Sequence, residues 1–103
     1  MALKGNGIIT APLAFQYALE NGADIMSMSF SIPNLGNARG LWRMMADHAV
    51  AAGLVLAGGA GNFRMSAQIP VQHQSPKDAP SVIAVGGVDS SLSLVTFSSM
   101  GPV

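Results

Sequence analysis

The segment Ala57-Gly58-Gly59-Ala60-Gly61-Asn62-Phe63 sets a run of small residues in front of one amide side chain. Small residues let a ligand approach the backbone closely. An amide donor aimed at a developing negative charge forms an oxyanion hole. Asn62 is therefore a candidate for acyl-transfer chemistry. The commoner occurrence of such a segment is a plain glycine-rich turn with asparagine in the left-handed conformation, and spacing alone leaves both readings open. A dinucleotide loop fits less well. That loop needs G-x-G-x-x-G opening a helix, whereas Gly59-Ala60-Gly61 is followed by Asn62, Phe63 and Arg64, with no helical pattern before Pro70.

Other reactive residue types are present without a catalytic arrangement. His48 sits beside Asp47 in a helical pattern and reads as part of a solvated face. His73 lies in a long loop and reads as exposed. Ser98 and Ser99 follow Phe97 in a serine-rich turn, with no strand-to-helix elbow to present an activated hydroxyl. No histidine or carboxylate pair has metal-ligand spacing, so neither a metal nor a cofactor is expected. The seven methionines read as core filler.

The 103 residues carry no cysteine, zero formal net charge and only 10% charged residues. Thiol catalysis and disulfides are excluded. Lys4, Arg39, Arg43, Arg64 and Lys77 are scattered along the chain and form no basic tract for a nucleic acid. No apolar run reaches the roughly 18 residues of a membrane span, since the best stretch, 49–60, is broken by Gly53, Gly58 and Gly59. The N-terminal residues do not read as a signal peptide. Globular domains average about 25% charged residues, and a small domain has much surface to cover. The deficit implies that surface of the isolated chain is buried in something larger, either a homo-oligomer or further parts of the same protein.

The elements that position these residues alternate between helix and strand. Thr10-Ala11-Pro12 predicts a helix start with a hydroxyl cap. Leu13, Ala14, Tyr17 and Ala18 supply its apolar stripe, and Asn21-Gly22 its stop. Ile25-Met26-Ser27-Met28 predicts a strand buried on both faces. A loop over 31–37 leads to a second helix over 38–52, capped by Asn37, with Leu41, Met44, Met45, Ala49 and Ala52 as its stripe and Gly53 as its end. Leu54-Val55-Leu56-Ala57 and Val82-Ile83-Ala84-Val85 predict two further buried strands, separated by a long loop. The fold class is α/β: a three-layer parallel sheet with right-handed crossover helices. The small-residue segment then falls at the carboxyl end of the second strand, where open α/β sheets place ligands.

Four blocks carry a family resemblance. Gly22-Ala23-Asp24-Ile25-Met26-Ser27-Met28-Ser29-Phe30 resembles the GADVINMSLG segment of subtilisin-like serine proteases (subtilases, peptidase family S8). Ala52 to Asn62 resembles the strand and AAGN block of that family. Pro80-Ser81-Val82-Ile83-Ala84-Val85-Gly86-Gly87-Val88-Asp89 is similar to its PSVIAVGAVD block, and Phe97-Ser98-Ser99-Met100-Gly101-Pro102 to its FSSxGP block. The blocks occur in the family's order and cover the chain from about Thr10 onward, as one partial peptidase domain over 1–103.

The resemblance implies roles. Asn62 matches the oxyanion donor. Ser29, Phe30 and Ser31 match one wall of the primary specificity pocket, and Gly59, Ala60 and Gly61 its second wall and floor. Ser75-Pro76 matches a bond commonly cis in the family, near the base of the pocket. Phe30-Ser31 stands where the family commonly has Leu-Gly, so a side chain at Ser31 would narrow the pocket mouth. The family's catalytic aspartate and histidine precede the matched region and its catalytic serine follows it. The resemblance therefore implies a central segment of a serine endopeptidase, inactive in isolation, acting in the complete enzyme on peptides or proteins at a secreted or extracellular location. Partners would include neither nucleic acid nor membrane, and the isolated chain is expected to form a homo-oligomer. The alternatives are a non-catalytic peptide-binding or inert α/β module, and an unrelated nucleotide-binding α/β domain.

Overall fold

A computed structural model describes residues 2–4, 9–66, 69 and 72–101. Pro102 of the FSSxGP-like block lies outside them. Two helices and three strands follow in the order α1 (Thr10–Glu20), β1 (Ile25–Met28), α2 (Ala38–Ala51), β2 (Val55–Gly59), β3 (Val82–Val85). All strand pairing is parallel, with β2 central and β1 and β3 at the edges. The α/β class, the strand positions and the crossover helix between β1 and β2 match the expectation from sequence.

Both helices stop where the glycines stand. Gly22 N–H bonds Leu19 O and Ala23 N–H bonds Ala18 O. Gly53 N–H bonds Val50 O and Leu54 N–H bonds Ala49 O in the same pattern. These are paired Schellman bonds, which occupy the last helical carbonyls and turn the chain directly into the next strand. The starts differ from expectation. Ile9 occupies the cap position of α1 and Thr10 is already helical, while Asn37 caps α2 in helical conformation without a side-chain bond.

The helix faces are also rotated from the expected ones. In α1 the buried residues are Phe15 and Ala18, while Leu13 and Tyr17 are exposed. In α2 they are Trp42, Ala46 and Ala49, while Leu41 and Met44 are exposed. The alanines let both helices approach the sheet closely, and Phe15 and Trp42 fill the volume that remains. Leucine and methionine are left on the outer side because the helices have only one layer to pack against.

That layer is one face of the sheet. Strand register puts Met26, Leu56 and Val82 on a common side with Met28 and Gly58. Phe15, Ala18, Ala46 and Ala49 join Met28, Leu54, Leu56 and Val82 in the core. The opposite side carries Ile25, Val55, Ile83 and Val85, which are 67%, 47%, 57% and 54% exposed. The strands are therefore not buried on both faces. Both helices lie on the same side, and the described residues contribute two of the three expected layers.

An apolar sheet face of this kind is normally covered. The isolated chain is expected to self-associate through it, and Ile83→Lys to weaken the association. Sedimentation velocity showing a monomer at high concentration for the unaltered chain would refute this.

Candidate functional site

The strands deliver their carboxyl ends to one cleft. It has a volume of about 480 Å³ and is lined by Ser27, Met28, Ser29, Ser31, Gly59, Gly61, Asn62, Phe63 and Lys77. Five residues singled out from sequence meet there: Ser29, Ser31, Gly59, Gly61 and Asn62. Three others do not line it. Chain alternation turns Phe30 away, and its ring stands edge-on to Trp42 with centroids 6.4 Å apart. Ala60 is buried, its N–H bonded to Val85 O. Pro76, after a cis Ser75–Pro76 bond, is fully buried. His73 does not line the cleft either.

Asn62 is held by its neighbours rather than by its own side chain. Ser99, itself buried, donates its N–H to Gly61 O at 2.8 Å and accepts the Phe63 N–H on Oγ at 3.1 Å. The residues on both sides of Asn62 are thus fixed to one serine. The left-handed conformation falls on Gly61, with φ 110°, and not on Asn62. A Cβ at Gly61 would also sit 3.0–3.1 Å from Phe63 and Ser99 atoms. The Asn62 side chain is exposed and makes no hydrogen bond among the described residues. Ser98 plays a parallel structural part: its buried Oγ accepts the Gly87 N–H at 2.9 Å. Ser98 and Ser99 are tethers between the tail and two glycine-containing segments.

The opposite wall depends on the segment 75–79. Ile32 N–H bonds Ser75 O, which extends the pairing of the β1 end across the cleft base. Asp78 has a side chain with no exposed surface and receives Arg39 Nε and Arg43 Nε, the latter at 3.1 Å. The two arginines are four residues apart on α2 and so share one helix face. Burial pushes the Asp78 pKa up. Hydrogen bonds from the arginines, the Arg39 charge and the nearby Ser75 hydroxyl outweigh that and hold it below the usual carboxylate range. Ser75 Oγ and Asp78 Oδ1 nevertheless stop short of hydrogen-bond geometry, and both are left without a partner. Ser81 Oγ donates to Asp47 Oδ1 at 2.6 Å and ties the start of β3 to α2 as well.

Lys77 points the other way. It is 3% exposed, and its Nζ donates to Phe30 O and to Ser31 Oγ. Its stem crosses Gly58, where a Cβ would lie 2.8 Å from Lys77 Cγ and 2.8 Å from Met28 O. Only glycine fits there. Burial lowers the Lys77 pKa to about 8, with Asp78 opposing the shift. Nothing in the spacing singles out Lys77 as a site residue. Of the five basic residues, read as scattered, Arg39 and Arg43 converge on the segment 75–79 and Lys77 lies within it. The one available signal is the Arg39/Arg43 spacing, which marks a basic helix face in search of an anion.

Among the described residues no cluster of three or more His, Cys, Asp or Glu could hold a metal ion, and no helix is long and apolar enough to cross a membrane.

Fold and cleft together define a parallel α/β domain with an open cleft at the carboxyl edge of its sheet. The sequence model of the subtilase family matches residues 4–103. The chain belongs to that family. It is 35% identical over 100 residues to Subtilisin DY of Bacillus licheniformis, covering 95% of this chain and 35% of the relative. It is 36% identical over 86 residues to Subtilisin E of Bacillus subtilis (strain 168), covering 84% of this chain and 22% of the relative. The chain thus spans about a third or less of these curated relatives. Among solved structures, the PatG macrocyclase in complex with peptide superposes with a TM-score of 0.75 at 20% identity, over 90% of this chain and 27% of that one. The prenylagaramide maturation protease PagA gives 0.75 at 23% identity, over 99% and 36%. These structural likenesses establish a shared fold.

The Asp78 clamp yields a pH-dependent expectation. Because the folded-state pKa is depressed, its stabilisation is complete above the ordinary value of 3.8 and is lost as pH falls through the folded value. Asp78→Asn is expected to cost about 1.5–3 kcal/mol at pH 7, the range for hydrogen bonds to charged groups. The deficit should shrink under acid conditions. Urea unfolding at pH 7 and pH 3 measures both, and an equal deficit at the two pH values would contradict the assignment.

Proposed function

We propose that the chain is the central segment of a subtilisin-like serine endopeptidase, with Asn62 as the oxyanion donor and the cleft as the primary specificity pocket. The observation that carries this reading is the state of Asn62. Its backbone is pinned on both sides by Ser99, while its side-chain amide is unspent and borders the cleft. A donor whose backbone is fixed before charge develops needs less reorganisation during reaction, which favours such donors. A substrate lying against the end of β1 would use the strand's free backbone groups near Ser29 by strand addition. Ser31, Gly59 and Gly61 would bound the side chain that enters the cleft. Phe30, Ala60 and Pro76 would support these walls from behind.

The nucleophile, the base and the carboxylate that orients it would come from the complete enzyme, a reading supported by a cleft lining that holds no histidine and no carboxylate. A secreted or extracellular enzyme acting on peptides or proteins is the corresponding cellular reading.

Two measurements test this. Asn62→Ala in the complete enzyme should lower kcat by about 10²–10³, a magnitude established for an oxyanion asparagine of a subtilisin, with KM little changed; unaltered turnover would remove the assigned role. The isolated 103-residue chain should hydrolyse no peptide. Steady, inhibitor-sensitive release of a chromogenic group by the pure chain would show that the catalytic groups lie within it.

A further inference from the structure

The cleft contains one charge. Of its nine lining residues, eight are serine, methionine, glycine, asparagine or phenylalanine, and the ninth is Lys77. The nearest carboxylate in sequence, Asp78, is committed to Arg39 and Arg43 and forms no ion pair with Lys77. The ammonium is held by two neutral acceptors, the Phe30 carbonyl and the Ser31 hydroxyl. An ammonium has three donors, so these contacts leave one unspent. They orient the charge without neutralising it. The stem is fixed against Gly58, where no side chain could displace it.

A buried charge with no ion-pair partner is unfavourable, the more distant charge of Asp78 offsets burial only in part, and an anion that enters the site gains accordingly. A carboxylate side chain would supply the missing charge and accept the third hydrogen. An apolar side chain would leave the ammonium uncompensated and further desolvated, and a basic one would be repelled.

We propose that Lys77 makes this pocket selective for substrates with an acidic side chain, glutamate or aspartate, at the residue preceding the cleaved bond. The proposal rests on the proteolytic reading of the cleft given above. Lys77 is then a specificity-determining residue. Ser31 has a part in it: its hydroxyl accepts a hydrogen bond from the ammonium within the cleft lining. The lowered Lys77 pKa agrees with a charge that burial disfavours and that an entering carboxylate would restore.

The test uses the complete enzyme and chromogenic peptides that differ only at that position: Glu, Asp, Gln, Leu and Lys. Glutamate should exceed its neutral isostere glutamine by at least tenfold in kcat/KM at pH 7, or about 1.4 kcal/mol of transition-state discrimination. Lys77→Met should abolish the Glu/Gln ratio, Lys77→Arg should retain it, and Lys77→Glu should shift preference toward lysine. Each ratio is measured within one variant, so a general loss of stability cancels. Turnover with leucine preferred over glutamate, and a Glu/Gln ratio unmoved by Lys77→Met, would overturn the proposal while leaving the protease reading intact. Failure to cleave any member would count against the protease reading instead. The selectivity is then decided by calorimetric titration with acetylated peptides ending in Glu or Gln. Glu-ended peptide that binds no tighter than Gln-ended peptide overturns it.

Discussion

The buried carboxylate of Asp78 is the constraint on which the cleft depends. Taking it out of water is costly unless cations accompany it, and two arginines one helical turn apart on α2 provide them. This fixes the segment 75–79 against the helix layer. Ser75 can then pair with Ile32, and Lys77, the next residue back along the chain, is turned to the opposite side, toward the β1 end. One ion cluster thereby sets the position of a cleft wall that no regular element supports. The distance between β2 and β3 in sequence makes such a clamp necessary, because a long loop has many conformations to lose.

The second wall is fixed by different means. Gly61 turns the chain in a conformation that a side chain would resist, and Ser99 binds the residues before and after Asn62. The tail reaches this point because Asp89 folds it back. Its Oδ1 accepts N–H groups of Ser91 and Ser93, and Val88 pairs with Leu94. Two serines of this region have a structural part: the Ser98 and Ser99 hydroxyls accept backbone N–H groups of Gly87 and Phe63. An amide side chain held by backbone alone keeps its own hydrogen-bonding capacity for a ligand.

The parts legible in the sequence are those governed by local rules. Ile25–Met28, Val55–Gly59 and Val82–Val85 are short apolar runs bounded by turn residues, and Gly22 and Gly53 end helices by a mechanism confined to six residues. The helix faces were less legible. Leu13, Tyr17, Leu41 and Met44 compete with Phe15, Trp42 and the alanines for burial, and tertiary packing rather than periodicity decides between them. The cleft was half legible. Asn62 and its glycines lie together in sequence, whereas Lys77 meets Phe30 and Ser31 across 47 and 46 residues. No local pattern encodes that approach; only the empty space over Gly58 permits it.

The low charge content takes a different meaning once the charges are placed. The chain has five acidic and five basic residues, yet it buries one of each at adjacent positions and assigns two more cations to the acid. Asp78 has two arginine partners, whereas Lys77 has no carboxylate in contact and only the opposing charge of Asp78 acts on it. If the cluster served stability alone, a single arginine on Asp78 and an apolar residue at position 77 would avoid the desolvation of a second charge. Burial of an ammonium beside the cleft, hydrogen-bonded to neutral acceptors and out of contact with the adjacent carboxylate, runs against what folding by itself favours. Departures of that kind concentrate where a structure is shaped for binding rather than for stability.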